Sequence, residues 1–139
     1  MPNASFRRWA FALARSHLGK ALVPWIFAHM SFAIPVHRLR ESPNLLAFYH
    51  PSPSYPLHIL IVPKRAIPNL ASLKPEEAGL LGEVMQMAQS LVQELGLEQA
   101  GYRLIVNGGA YQDLPQLHFH LVSESYRAGA EKPEARPTP

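Results

Sequence analysis

Apolar residues recur along this chain in two rhythms. From residue 75 to 95, Leu80, Leu81, Val84, Ala88, Leu91 and Leu95 return at helical spacing, with Pro75 suited to a first turn, Glu76 and Glu77 complementing the N-terminal dipole and Gly96 as the stop. That predicts one long helix, in which Met85 and Met87 are filler for a core or an interface. Elsewhere the rhythm is that of strands. Residues 36–42 (VHRLRES) alternate, with Val36 and Leu39 set against charged neighbours, and residues 44–50 (NLLAFYH) and 57–64 (LHILIVPK) follow as two more strands. The second of these is a continuous apolar run, so it belongs in the middle of a sheet. Residues 101–109 (GYRLIVNGG) and 116–124 (QLHFHLVSE) add two strands around a Gly-containing loop. Strands, then a helix, then strands predict a largely antiparallel α+β domain rather than a doubly wound one.

Ahead of this lies a different pattern. In residues 5–19, Phe6, Trp9, Ala10, Leu13 and Leu18 share one helix face while Arg7, Arg8 and Arg15 point elsewhere, which predicts a basic amphipathic helix between Ser5 as cap and Gly19 as stop. Such a helix packs on the domain or a neighbour; contact with an anionic membrane surface is the alternative, and an Arg-rich transit peptide a lesser one. The apolar stretch 22–36 is broken by Pro24, His29 and Pro35 and is shorter than the roughly 20 residues a spanning helix needs. The tail after Tyr126 has too few apolar groups to offset the entropy of ordering, so flexibility is expected there. The expected division is therefore an N-terminal extension, 1–24, a single domain, 25–126, and a tail, 127–139.

Composition narrows the chemistry. With 139 residues, 47% hydrophobic and 17% charged, the chain suits one globular domain. The count of cysteines is 0, which rules out disulfides and thiolate metal sites and allows a cytoplasmic location. The net charge of +3 is concentrated before Glu41, in Arg7, Arg8, Arg15, Lys20, Arg38 and Arg40, but no nucleic-acid recognition motif accompanies it.

The candidate chemistry lies in NGGAYQDLPQLHFHLVSE, residues 107–124. In a strand, Gln116, His118 and His120 would share one face while Leu117, Phe119 and Leu121 enter the core. Two histidines on a strand are most often surface or satisfied core residues, but three features here point to chemistry. Asn107, Gly109 and Gln112 offer donors to an anion on a glycine-containing loop. His58 opens a strand of the same sheet, and the prolines of PSPSYP stiffen the link that sets it relative to His50. A histidine oriented by a neighbour can attack phosphorus.

LLAFYHPSPSYPLHILIVPKRAI followed by NGGAYQDLPQLHFHLV resembles the histidine triad family of nucleotide hydrolases and transferases, over roughly residues 25–122. The resemblance implies a five-stranded antiparallel sheet with one long helix, commonly a homodimer, and phosphate chemistry that needs no metal or other cofactor. It makes His118 the nucleophile on the α-phosphate of a nucleotide. His120 and His58 would support the phosphate site and the leaving group, while Asn107 and Gln112 would bind phosphate oxygens.

The departures from the family pattern are specific. Gln116 stands in place of the first histidine, at a position whose backbone carbonyl is thought in the family to orient the nucleophile. His50 stands where an aspartate usually holds the ribose hydroxyls, and Asp113 where a serine often contacts substrate. WIFAHM lies where some members carry a Cys-x-x-Cys zinc pair, so that zinc is not expected. Gln116, His50 and Asp113 are thus expected among the substrate-facing residues. Two alternatives stay open: a nucleotide-binding module with weak or no turnover, and a metal site built from His58, His118 and His120 with Asp113 or His50.

Overall fold

A computed structural model describes residues 36–129 of the chain. The expected N-terminal helix, the apolar stretch up to Pro35 and the tail beyond residue 129 lie outside the described residues. Within them the chain runs through β1 (Arg38–Glu41), β2 (Leu45–Tyr49), β3 (Leu57–Pro63), a long helix α1 (Ala78–Glu94), β4 (Arg103–Val106) and β5 (Phe119–Ser123). The strands make one five-stranded sheet in the order β1-β2-β3-β5-β4, each neighbouring pair antiparallel. A strand with no polar face must sit between two others with both its faces covered. β3 does so, between β2 and β5, with every residue buried.

Alternation along the strands then sorts the side chains. Leu57, Ile59 and Ile61 of β3 join Leu45 and Ala47 of β2 and Leu121 of β5 in a core completed by Leu80, Val84, Ala88 and Leu91 of α1. Leu60 and Val62 take the other face, in a second apolar cluster with Leu46 and Phe48, against which Val36 packs. His58, His50 and His120 have the parity of this second face. The helix thus covers one side of the sheet and leaves the histidines on the other. Among the described residues no helix is long and apolar enough to cross a membrane.

Two boundaries differ from expectation. The turn Pro75–Glu77 is a 3-10 turn, with the Glu77 carboxylate accepting the Lys74 N–H at 2.9 Å, and the α-helix begins only at Ala78. At the other end of the helix the stop falls at Gly96 as expected: it takes φ +65°, which glycine adopts without the Cβ clash other residues meet, and turns the chain into a short helical segment, Leu97–Ala100, that buries Leu97. The larger difference concerns residues 116–124, expected as one strand, because β5 starts at Phe119. Pro115 has no N–H for a ladder, residues 114–116 bend, and the Leu117 N–H donates to the Ile67 carbonyl at 2.7 Å. Gln116 is thereby released from strand alternation, and its side chain does not project beside His118 and His120.

Candidate active site

Three strands and two loops bring four histidines together. The PSPSYP link folds β2 back onto β3, so that the His50 N–H donates to the His58 carbonyl at 2.8 Å and the two rings stack with centroids 4.2 Å apart. The β3–β5 register sets His58 opposite Val122 and Leu60 opposite His120, which makes the two histidines diagonal neighbours on one face. His58 Nε2 and His120 Nδ1 are 2.9 Å apart. Asn107, just past β4, brings its amide within 3.4 Å of His120 Nε2. His118, one residue ahead of β5, holds its ring centroid 4.8 Å from that of His120 and its Nδ1 2.7 Å from the Gln116 carbonyl oxygen.

The proton positions follow from the backbone groups at the ends of this network. A backbone N–H can only donate, so the Ser54 N–H at 3.2 Å makes His58 Nδ1 an acceptor and leaves the His58 proton on Nε2. That proton is donated to His120 Nδ1, so His120 carries its own on Nε2, facing the Asn107 amide. The structure sets Asn107 Nδ2 at that position, and two donors cannot bond each other, so the amide oxygen is assigned there in its place, as the two ends of an amide are assigned from such networks. His50 is fixed in the same way, its Nδ1 accepting the Ser52 N–H at 3.0 Å and its Nε2 carrying the proton. A carbonyl can only accept, so His118 bears its proton on Nδ1 and presents an Nε2 lone pair.

Burial, reinforced by the neighbouring histidines, pushes His58 down to about 4, and burial with His118 and His50 pushes His120 down to about 4 as well. His50 is lowered by burial and by His118, against the opposing effect of the Asp113 carboxylate among others. His50, His58 and His120 are therefore neutral at pH 7. The consequence for stability has a definite sign. An unfolded histidine takes up a proton near pH 6.5, whereas His58 and His120 resist one until about 4, so the stability they contribute is complete above pH 6.5 and is lost as pH falls toward 4. Urea midpoints measured from pH 7.5 to 4 should fall steepest in that window, and His58→Gln should flatten the slope.

The other expected site residues are distributed unevenly. Asp113 is exposed on the loop, and its charge acts on both His50 and His120, opposing the effect of burial. Gln112 gives its Nε2 protons to the carbonyls of Pro68, at 2.6 Å, and Leu114, at 2.7 Å, so in this arrangement its amide binds the loop together and has no donor left for an anion. Gly109 opens a 3-10 turn with φ +57°, and a Cβ there would meet nothing within 4 Å; the backbone angle, not a close approach, requires glycine. Gln116 is 1% exposed, and its Nε2 bonds to the carbonyls of Pro63 and Arg65, not toward the histidines. The alternative of a histidine-bound metal does not form among the described residues, where no group of three His, Asp or Glu side chains is arranged to hold one. His58 and His120 are bonded to each other instead.

Sequence reasoning missed the backbone N–H groups of Ser52 and Ser54, which set two of the tautomers, and Tyr55, whose ring meets His58 edge-on at 5.5 Å. The signal available was a tight proline-rich link bounded by histidines, which forces its few amides close to those rings.

Comparison with known proteins bears on the family and the fold. The family model of the HIT domain matches residues 31–126. An uncharacterized HIT-like protein of Helicobacter pylori is 33% identical over 92 residues, covering 65% of this chain and 86% of the relative. The crystal structure of a HIT family hydrolase from Legionella pneumophila Philadelphia 1 superposes with a TM-score of 0.66 at 31% identity, covering 70% of this chain and 89% of that one. A histidine triad protein from Clostridium difficile gives 0.69 at 26% identity, covering 79% and 97%.

Proposed function

Because the chain belongs to the histidine triad (HIT) family, we propose that it is a nucleotide hydrolase or transferase that works at the α-phosphate through a covalent intermediate on His118. The observation that carries this reading is the 2.7 Å bond from His118 Nδ1–H to the Gln116 carbonyl. It fixes the tautomer whose Nε2 lone pair faces away from the backbone, which is the form a nucleophile needs.

In the first step His118 Nε2 donates its electron pair to the α-phosphorus and forms an N–P bond, while the bond from phosphorus to the leaving group breaks and the leaving atom departs with that pair and takes up a proton. The neutral His120 ring lies beside His118 and cannot give up its N–H without becoming an imidazolate, so the proton that the leaving atom takes up comes from water. In the second step water attacks the same phosphorus, the N–P bond breaks, and a nucleoside monophosphate leaves with His118 restored. Because His50, His58 and His120 are neutral, the charge that develops on phosphate is met by N–H dipoles rather than by fixed imidazolium cations at these positions. His50 presents an N–H in place of a carboxylate, so the group it favours on the substrate is an oxygen acceptor. The absence of cysteine suits a cytoplasmic site of action.

Incubation with a radiolabelled adenosine 5′-phosphoramidate, quenched in alkali, should trap a nucleotidyl-protein adduct that acid releases and that His118→Ala does not form. An adduct that survives His118→Ala would move the nucleophile elsewhere. Tight binding of the monophosphate with neither adduct nor hydrolysis would leave a binding module.

A further inference from the structure

We infer that the side-chain amide of Gln116 is the positioning device for His118, an inference that rests on the assignment of His118 as nucleophile. The pairing of β3 with β5 extends to Ile61 opposite Phe119 and stops there. His118 therefore lies just outside the ladder, where no rung of the sheet holds its backbone. Gln116 bridges the gap. Its Nε2 donates to the carbonyls of Pro63, at 3.2 Å, and Arg65, at 2.7 Å, joining the chain that enters β5 to the chain that leaves β3, the strand bearing His58. Its own backbone carbonyl accepts the proton of His118 Nδ1 at 2.7 Å. One residue thus holds β3 with its side chain and the nucleophile with its backbone.

A second observation sets this role apart from simple packing. Gln116 is 1% exposed, and its Oε1 is buried without a hydrogen-bond partner. A buried acceptor left unpaired is destabilising. Methionine or leucine would fill the same space without that penalty, so what distinguishes the amide here is its pair of donors. Two further bonds tie the same segments together, Leu117 N–H to Ile67 O at 2.7 Å and Gln112 Nε2 to Pro68 O at 2.6 Å. They leave the loop docked when the Gln116 donors are removed, so the loss falls on the aim of the 116 carbonyl and, through it, on the tautomer and direction of His118.

The test compares full-length wild type with Gln116→Met, which keeps the volume and removes both donors, and Gln116→His, whose ring N–H restores one. Long-range ¹H–¹⁵N spectra read the His118 tautomer, and hydrolysis of adenosine 5′-phosphoramidate gives kcat and KM. Wild type should show a single Nδ1–H tautomer. Gln116→Met should show a mixture, with kcat down about 10- to 100-fold and KM within about twofold, because displacement of an oriented group costs the chemical step and not binding. Gln116→His should recover part of both.

A single Nδ1–H tautomer with unchanged kcat in Gln116→Met would overturn the inference. So would a rise in KM with the tautomer unchanged, which would make Gln116 a substrate contact. If Gln116→Met does not fold, Gln116→His decides alone: an intermediate tautomer ratio and kcat support the role, and wild-type values of both refute it. A tautomer shift in a protein that forms no adduct even as wild type would uphold the positioning geometry and reject the nucleophile.

Discussion

His118→Ala is expected to lower kcat by about 10⁴-fold or more, the scale on which loss of a nucleophile is felt when nothing replaces it. The surroundings show why nothing would. The nearest ring is that of His120, whose Nδ1 already accepts from His58 and whose Nε2 proton faces Asn107, so it has no lone pair to turn on phosphorus. His58 has its Nδ1 taken by the Ser54 N–H and its Nε2 proton given to His120, and His50 has its Nδ1 taken by the Ser52 N–H. In all three the lone-pair nitrogen already accepts a hydrogen bond, from Ser52, Ser54 or His58, whereas the nitrogen of His118 that is bonded, Nδ1, is a donor. Single-turnover hydrolysis of adenosine 5′-phosphoramidate, alongside a circular dichroism spectrum that matches wild type, measures the effect. A loss below about tenfold would show that another group attacks.

Leu121→Ala should destabilise the protein by about 3–5 kcal/mol, the upper part of the range for a leucine removed from a core that cannot close over the gap. Leu121 is fully buried on β5, opposite Ile59 of β3 on one side and Leu104 of β4 on the other, with the helix above. Both flanking strands are held by ladder hydrogen bonds and cannot move in to fill the space. The lost stability should appear as a lower urea midpoint with an unchanged slope. Met85→Ala provides the contrast: that side chain is 61% exposed on α1, and its loss should change stability by no more than about 0.5 kcal/mol. Equal effects at the two positions would show that the core is not where the packing places it.

The legibility of the site varied with how local each interaction is. His118, His120, His58 and Asn107 could be read from sequence because strand alternation and the order of two motif blocks carry them, and the structure brings all four together. Gln112 was legible as a neighbour but not in its direction. Nothing in the residues 107–118 indicates that its amide would turn back to Pro68, a residue more than forty positions earlier. Gln116 misled for a related reason. Period-two alternation puts it beside His118, but alternation holds only while the ladder lasts, and a proline one residue earlier ends it. The tautomers were out of reach of sequence altogether. Each is fixed by one backbone group, Ser52, Ser54 or Gln116, whose approach to a ring depends on the path of a loop.

By itself the sequence determined the class of fold, the central place of β3 and the long helix, because these rest on the period and order of apolar residues, which hydrophobic burial turns directly into elements and layers; the family was legible only through the resemblance of two motif blocks. Tertiary structure alone decided which nitrogen of His50, His58 and His120 carries its proton, that Gln116 faces Pro63 and Arg65, and that these three rings are neutral. Those outcomes depend on hydrogen-bond partners that the fold brings together from distant parts of the chain, and on the removal of water from around charged forms. Neither the partners nor the dehydration exists until the sheet has closed.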